Sequence, residues 1–424
     1  MSIPLDQLYN YISDIATEMF GETIVIYRFY PHGSKKLEDL QEIKWHNWIE
    51  LNLAPTLFCN DQEPLNFDYY QSHILAPKKQ NLFADIIKST GLNHLKNNIK
   101  RKQNIYDQSV LLHSEQRSID VEKYQQNKFI TVYYWNHAFL SLDWFRYANH
   151  VTIKKNPCKK FLIYNRAWAG TREYRLKFAD LLVASGIDSH CATSIALDGY
   201  REHEFANPVW KPARELENYF QNNTTPSTFS ADFTAEDYAA TDIEVVLETL
   251  FDDSRLHLTE KALRPIAMAQ PFILAATHGS LEYLRSYGFK TFSSVWDESY
   301  DQIVDPKQRL DAIVSLMKSI STWDPLTRDI KLAQANAVAE YNRQHFFSQE
   351  FEDTIVAELK TNLNSAVNEF NSTKTTDKWV NWWDNALTHE SIQNFLTTNT
   401  DPKMPTKPVF DVVYEKAKNM LTTP

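Results

Sequence analysis

The sequence predicts an α/β protein of two domains, each with a parallel β-sheet, followed by a helical C-terminal extension. Short apolar strands alternate with amphipathic helices through most of the chain, and this alternation favours parallel strands joined by crossover helices. The chain has 424 residues, which is long for one domain and adequate for two. Only 8 residues are glycine, a scarcity that argues against a turn-rich all-β fold.

In the first half, β-branched and aromatic residues mark buried strands, and a helical pattern lies between the second and the third. The predicted strands are Glu22–Tyr30, Leu53–Asn60 and Phe129–Tyr134, and the helical pattern covers residues 81–98. A polar, basic stretch broken by Pro157 then runs from Asn149 to Lys160. We place a domain boundary there, so that residues 1–155 form a Rossmann-like N-terminal domain.

The second domain is predicted for residues 156–325, and it repeats the alternation of strands and helices. Its predicted elements are a strand at Lys160–Asn165, a helix at Arg172–Ala184 that stops at Gly186, an irregular loop at 202–236, a strand at Ile243–Leu250, a helix at Glu260–Ala269 capped by Thr259, a strand at Pro271–Ala275 and a helix from Gly279 to Tyr287. Helical patterns follow at 306–320, 325–343, 346–370 and 378–398. Residues 326–424 are therefore predicted to form a helical extension that packs back on the core.

Composition argues against several classes of protein. None of the glycines has the spacing of a GxGxxG or P-loop motif, which argues against a dinucleotide dehydrogenase or a P-loop NTPase. The three cysteines are widely spaced and contain no CxxC pair, so neither a zinc ribbon nor a disulfide framework is indicated. The N-terminal residues lack a signal-peptide pattern, and no stretch is apolar enough to span a membrane. We expect a reduced, cytoplasmic protein.

Charge is unevenly distributed along this acidic chain. The net charge of −10 opposes a nucleic-acid partner, because phosphate binding draws on an excess of Lys and Arg. Two basic clusters nevertheless occur, at Lys96–Lys102 and at Lys154–Lys160. Each is either a solvated face or a patch that follows a phosphate backbone.

The first candidate site follows the strand Lys160–Asn165 and consists of Asn165, Arg166, Arg172 and Arg175. Ligands of open parallel sheets bind at the carboxyl ends of strands, and helix N-termini attract anions. The forked guanidinium groups of arginine suit a diphosphate. The alternative is a pair of surface arginines in salt bridges with Glu173 or Asp180.

The second candidate site is Thr259-Glu260-Lys261, with Arg264 one turn further on. Its carboxylate is suited to ribose hydroxyls and its lysine to a phosphate. The alternative is an ordinary helix start with a Glu260–Arg264 ion pair at the i,i+4 spacing. A third site, around His278 and Gly279, lies between a strand and a helix, where free backbone N–H groups can bind a phosphate or a sugar hydroxyl.

Two further features have more than one possible interpretation from the sequence alone. The acidic turn Trp296–Asp301 offers oxygen ligands for Mg²⁺ or Mn²⁺, but a capped, hydrogen-bonded loop is the commoner structure for such a turn. In the first half, Glu63 or His137 is placed to take a proton from an acceptor hydroxyl. The alternative for His137 is a histidine whose hydrogen bonds are satisfied in the core.

The longest motif, TEKALRPIAMAQPFILAATHGSLEYLRSYGFKTFSSVWDESYD (Thr259–Asp301), resembles a signature of glycosyltransferases from tailed phages and some bacteria. Its TEK core and PF strand look like the donor-binding region of fucosyltransferase-type GT-B enzymes. LIYNRAWAGTREYR (Leu162–Arg175) is similar to an Asn-Arg segment of the same group. CNDQEPLNFD (Cys59–Asp68) and YYWNHAFLSLDWFR (Tyr133–Arg146) resemble further blocks of the phage proteins.

The resemblance implies a GT-B fold, in which two Rossmann-like domains face a cleft and the C-terminal domain binds the donor. The donor would be a UDP- or GDP-sugar, with no permanently bound cofactor and no metal. Arg166, Arg172, Arg175 and Lys261 would stabilise the departing diphosphate, and Glu260 would bind the ribose. The predicted catalytic residues are then Glu63, His137 and Arg172, and the other donor-site residues are Asn165, Thr259, His278 and Gly279. Many relatives have a glycine-richer turn where this chain has Thr277-His278-Gly279.

The resemblance also implies an acceptor. Phage enzymes of this kind include ones that glycosylate hydroxymethylated bases in DNA, so 5-hydroxymethylcytosine in DNA is the leading expectation, with the two basic clusters as DNA contacts. The alternatives are a surface glycan, a small molecule, or a non-catalytic module that binds DNA or carbohydrate. The compartment would be the host cytoplasm if the gene belongs to a phage.

Overall fold

A computed structural model describes Glu18 and residues 25–29, 56–60, 65–70, 109–127, 129–146, 148, 152–220 and 230–373. The chain divides into two compact units, which we name by their sheets. The β5–β8 unit contains Glu115–Ser118 and Trp135–Ala357. The β1–β4 unit contains the described residues up to Ser114, Ile119–Tyr134 and the described residues from Glu358 to Thr373.

The β1–β4 unit contains a parallel sheet with strand order β1-β2-β3-β4. Its elements are β1 (Val25–Phe29), β2 (Thr56–Asn60), α1 (Phe67–Tyr70), β3 (Ser109–His113), α2 (Ile119–Gln126) and β4 (Ile130–Tyr133). The apolar side chains of β3 are buried, as is Val132 of β4. Tyr124 of α2 packs edge-on against Phe67 and Phe129, with ring centroids 4.8 and 5.2 Å apart. These contacts hold the helix on the sheet.

The β5–β8 unit contains a second parallel sheet, with strand order β6-β5-β7-β8. Its elements are α3 (Asn136–Trp144), β5 (Lys159–Asn165), α4 (Tyr174–Ser185), β6 (Cys191–Ile195), α5 (Ala235–Ala239), β7 (Thr241–Leu247), α6 (Glu260–Ala267), β8 (Phe272–Ala275), α7 (Ser280–Ser286), α8 (Pro306–Ser321), α9 (Pro325–Phe346) and, up to Ala357, the first residues of α10 (Gln349–Thr373). The chain passes from β5 outward to β6 and then returns to the other side of β5 for β7. This reversal makes the carboxyl ends of β5 and β7 a topological switch point, where open α/β sheets bind ligands.

Local sequence signals account for the helix boundaries. Gly186 ends α4 with φ 69°, the left-handed conformation in which glycine avoids a Cβ clash. Asp305 and Asp324 cap α8 and α9, and each is followed by a proline at the first helical position, where the missing N–H has no intrahelical acceptor. Asn342 of α9 then fixes the helix against the unit by accepting from Lys290 N and donating to Lys290 O, both at 2.8 Å.

The structure confirms the predicted α/β class with parallel sheets, the cap at Thr259 and the stop at Gly186. Five short elements were not predicted, namely β3, β6, α1, α2 and α3. Residues 230–236 of the predicted loop run into the short helix α5. The predicted helices at 81–98 and 378–398 lie outside the described residues, and the domain boundaries stay a prediction. None of the described helices has both the length and the apolar character needed to cross a membrane.

Candidate functional site

The switch point between β5 and β7 is occupied by the guanidinium group of Arg175. The side chain is buried, with 2% of its surface exposed. Its terminal nitrogens donate to Ala167 O at 2.6 Å, to Leu247 O at 2.5 Å and to Glu248 O at 3.0 Å. The loop after β5 and the end of β7 are thereby tied together. Since those nitrogens are bonded to the backbone, Arg175 shapes this edge of the sheet.

A second buried arginine, Arg309, also ties backbone segments together, on the far side of β7. It donates to Ala276 O at 3.0 Å and to Ile303 O at 2.6 Å, and it also bonds Phe251 O. Burial lowers the pKa of Arg309 to about 10, so it carries its charge at neutral pH. Sequence reasoning missed this residue. One sequence signal could have identified it: Arg309 lies on α8 four residues before the buried Ile313, which places it on the apolar face of the helix.

Asn165 and Arg166 continue from the end of β5. The Asn165 amide is buried and donates to Arg175 O at 3.2 Å. The Arg166 guanidinium lies over the ring of Tyr164, 4.7 Å from its centroid, and its pKa is lowered by partial burial and then by the charge of Arg264. Arg166 is thus a partly exposed cation at the switch point.

Arg172 ends a short 3₁₀ turn, Gly170–Arg172, and is also partly exposed. Its charge contributes, after burial, to the lowered pKa of Arg175, which places the two groups near each other. The alternative prediction, that these arginines form salt bridges with Glu173 or Asp180, is wrong. Glu173 instead pairs with His203 at 2.7 Å, and Asp180 pairs with Lys177 and Arg214, both at 2.8 Å.

Glu248, directly after β7, joins the first and second predicted sites. Its carbonyl oxygen accepts from Arg175 and from the Tyr174 hydroxyl, the latter at 2.7 Å. Its carboxylate accepts from Thr259 N at 3.0 Å and from Thr259 Oγ1 at 2.8 Å. The N-terminus of α6 is therefore fixed to the carboxyl end of β7. Glu248 was not predicted as a site residue because it lay inside the predicted strand Ile243–Leu250.

The Thr259-Glu260-Lys261 motif forms a compact hydrogen-bonded cluster at the start of α6. Thr259 caps the helix by accepting from Lys261 N at 3.3 Å. The Lys261 ammonium donates to Thr259 Oγ1 at 3.0 Å and to Glu260 Oε1 at 2.8 Å, and 12% of the lysine side chain is exposed. The cluster thus presents one partly accessible cation at a helix N-terminus, where the helix dipole adds to its charge.

His137 lies against the other oxygen of the same carboxylate. Its Nδ1 is 3.0 Å from Glu260 Oε2, and its ring meets that of His257 edge-on at 5.2 Å. Trp135, two residues earlier, donates its indole N–H to Leu258 O at 2.9 Å and so anchors α3 beside the motif. His137 is 2% exposed, so an acceptor hydroxyl could reach it only after neighbouring groups move.

Arg264 contributes to the core of the unit. It forms a buried ion pair with Glu244 at 2.5 Å, and Glu244 also accepts from the Tyr238 hydroxyl at 2.5 Å. The predicted alternative of a Glu260–Arg264 pair is therefore wrong, because Glu260 is bonded to Lys261 and His137.

The turn after β8 contains His278 and Gly279. Gly279 has φ 82° and donates to Asp301 O at 2.8 Å, which holds the turn against the Trp296–Asp301 segment. Arg117, which sequence reasoning missed, donates to His278 Nε2 at 3.1 Å and to His278 O at 2.5 Å. Nothing in the sequence connects residues 161 positions apart. Arg117 adds a cation beside this turn.

We expect His278 to titrate below the ordinary histidine pKa of about 6.5. Burial lowers its pKa, and the charges of Arg117 and Arg309 lower it further. Because the folded-state pKa is depressed, this group should reduce stability as pH falls from the unfolded value toward the folded one. Titration of the ring C–H signals by NMR, with His278→Gln for assignment, measures the pKa. Arg117→Ala should raise it, and an unchanged value would contradict the contact.

The acidic turn Trp296–Asp301 is a hydrogen-bonded loop. Asp297 accepts from Ser299 N and Ser299 Oγ at 2.8 and 2.9 Å, and Glu298 accepts from Phe292 N at 2.7 Å. Asp301 accepts from Leu281 N at 3.2 Å. Within the described part of the chain, no group of three His, Cys, Asp or Glu side chains is arranged to hold a metal ion.

The basic stretch Lys154–Lys160 is largely engaged with the backbone. The Lys155 ammonium donates to Tyr238 O at 2.8 Å and to Thr241 O at 3.2 Å, and Lys159 donates to Ser189 O at 2.5 Å. Lys160 bonds Ser321 O. Glu63 and the Lys96–Lys102 cluster lie outside the described residues.

The predicted site residues of the second half thus converge on the carboxyl edge of one sheet, at the ends of β5, β7 and β8. Comparison of the chain with protein-family models, with curated proteins and with solved structures found no match.

Proposed function

We propose that this protein is a glycosyltransferase of the GT-B class that takes its sugar from a nucleotide-diphosphate donor. The observation that carries the proposal is the convergence, through Glu248, of the β5 loop and the TEK motif on the switch point of the β5–β8 sheet. Cations from separate segments lie along this edge: the partly exposed Arg166, Arg172 and Lys261, and the exposed Arg117. Such an edge suits a dianionic leaving group.

In the proposed reaction, charge develops on the departing diphosphate as its bond to the sugar breaks. Fixed cations stabilise this charge in place, without reorganisation during the step. Lys261 is held by Glu260 and Thr259 in the described state. On donor binding, its ammonium would turn to a phosphate and release Glu260 Oε1 for a ribose hydroxyl.

Buried groups support this edge. Arg175 and Arg309 fix the carbonyl groups at the ends of β5, β7 and β8. We assign His137 a positioning role, because a buried imidazole beside Glu260 Oε2 orients the carboxylate toward Lys261. The whole His137 ring is buried, with Nδ1 beside Glu260, so a general-base role requires an opening motion.

The acceptor is proposed to be a hydroxyl group, either on a 5-hydroxymethylated base in DNA or on a glycan or small molecule. The engagement of Lys155, Lys159 and Lys160 with backbone carbonyls favours the second class, because those ammonium groups are already bonded. Mass spectrometry of hydroxymethylated DNA after incubation with mixed nucleotide sugars separates the two. A mass increase of one sugar per base would establish DNA as the acceptor.

The protein should be stabilised against heat by UDP or GDP in the presence of EDTA, because the proposed site binds diphosphate through its own cations. The measurement is the melting temperature with each nucleoside diphosphate, with the matching nucleoside as the control that lacks phosphates. A rise in melting temperature that appears only with Mg²⁺ or Mn²⁺ would indicate a metal-dependent transferase instead. No rise with any nucleotide would contradict donor binding altogether.

A further inference from the structure

Tyr164 lies one residue before the end of β5, at the carboxyl edge of the β5–β8 sheet. Its side chain is buried, with 7% of its surface exposed, and its hydroxyl donates to Asp237 Oδ2 of α5 at 2.7 Å. Burial and then this hydrogen bond raise the pKa of the hydroxyl, so it stays protonated at neutral pH and remains a donor. The hydrogen bond and the surrounding core therefore hold the ring in one orientation.

Two guanidinium groups contact the ring of Tyr164. That of Arg166 lies 4.7 Å from the ring centroid, and that of Arg264 lies at the same distance. Arg264 is buried and fixed, because it forms an ion pair with Glu244 at 2.5 Å and also bonds Ser230 O. Arg166 is partly exposed. The ring therefore contacts both a fixed cation of the core and a cation of the proposed donor site.

The two cations repel each other, and the ring offsets part of this repulsion. Partial burial lowers the pKa of Arg166, and the charge of Arg264 lowers it further. The face of an aromatic ring carries partial negative charge and attracts a guanidinium group within about 6 Å of its centroid. Contact with the ring also restricts the rotamers of Arg166. A side chain that is ordered before the ligand arrives loses less entropy on binding.

We infer that Tyr164 is a positioning residue of the donor site, whose ring holds the Arg166 guanidinium at the end of β5 in the orientation that meets the diphosphate. This role rests on the proposed function, because Tyr164 acts only through Arg166. The face of the ring performs it, and the hydroxyl serves only to orient the ring. Removal of the ring should therefore weaken the binding of nucleoside diphosphates, whereas removal of the hydroxyl alone should have little effect.

The test is the affinity for UDP and GDP, measured by isothermal titration calorimetry in EDTA. Tyr164→Phe and Tyr164→Leu both remove the hydroxyl, but only Tyr164→Leu removes the ring. Tyr164→Leu should weaken binding about three- to tenfold, a loss within the range of one cation–π contact. Tyr164→Phe should stay within about twofold of the wild type. Tyr164→Met, which also lacks a ring, serves if Tyr164→Leu does not fold.

A double-mutant cycle separates positioning from a general structural effect. Arg166→Ala should itself weaken binding. Addition of Tyr164→Leu to Arg166→Ala should cause little further loss, because the ring then has no donor-site cation to hold. If Tyr164→Leu weakens binding by the same factor with and without Arg166, the role assigned to Tyr164 is wrong.

Tyr341→Leu is the matched control, because the Tyr341 ring holds the Lys290 ammonium 3.7 Å from its centroid, outside the donor site. It should leave the affinity unchanged, and a loss equal to that of Tyr164→Leu would overturn the inferred role. If the wild type binds nucleotide, and Arg166→Ala but not Tyr164→Leu weakens this binding, the role of Tyr164 fails and the donor site stands. Absence of binding to the wild type would overturn both.

Discussion

Lys261→Met should lower the rate of nucleotide release from the donor sugar by about 10²–10³-fold, the usual cost of removing one group that stabilises developing negative charge. Lys261 is the cation at the N-terminus of α6, bonded to Glu260 at 2.8 Å and to Thr259 at 3.0 Å. Methionine has a similar length but no charge. The measurement is nucleotide release at saturating donor, with circular dichroism to check that the variant is folded.

Two further variants test whether the loss of activity comes from the charge at position 261. Lys261→Arg keeps the positive charge and should retain more activity than Lys261→Met. Lys307→Met removes an exposed lysine whose partner is Asp311, one turn along α8, and should leave the rate unchanged. Release by Lys261→Met within twofold of the wild type would remove Lys261 from the proposed donor site.

Arg175→Met should destabilise the protein by about 3–5 kcal/mol, the cost expected when a buried, hydrogen-bonded charged group is removed. The substitution removes the charged donor that Ala167, Leu247 and Glu248 share, and it does so in a buried position at Leu247 and Glu248, although Glu248 O keeps the Tyr174 hydroxyl. The free energy of unfolding is measured by urea titration of both proteins.

The matched control is Arg172→Ala, three residues earlier and partly exposed. It should change the unfolding free energy by about 0.5 kcal/mol or less, as surface substitutions usually do, while lowering turnover. Equal stability losses in the two variants would contradict the assignment of Arg175 to structure and Arg172 to the ligand.

The strands that sequence reasoning identified are rich in β-branched, aromatic and other apolar residues. β5 and β8 are fully apolar at their centres and were predicted within a few residues. β6, with the sequence CATSI, has small and polar residues, and the apolar run of β3 (SVLLH) covers only Val110–Leu112. Such short segments carry too little periodicity to separate a strand from a loop. Their place in the sheet depends on neighbours that are distant in the chain.

For the site, sequence reasoning identified residues but not the direction of their side chains. The TEK motif was recognisable because a cap, a carboxylate and a lysine are adjacent in the chain. Arg175 was predicted to bind the donor diphosphate, whereas its buried guanidinium turns inward to three carbonyls, a direction that only the fold determines. Glu248, Arg309 and Arg117 act through contacts between residues far apart in sequence, and no local pattern marks such contacts.

Hydrogen–deuterium exchange with and without UDP or GDP, in EDTA, tests most directly whether the carboxyl edge of the β5–β8 sheet binds the donor diphosphate. Binding should slow exchange in peptides that cover Arg166–Arg172 and the start of α6 at Thr259–Ala262, because a bound diphosphate would hold both segments and reduce their local opening. Other parts of the unit should change little. Protection confined to peptides outside this edge, or no protection despite saturating nucleotide, would contradict the account.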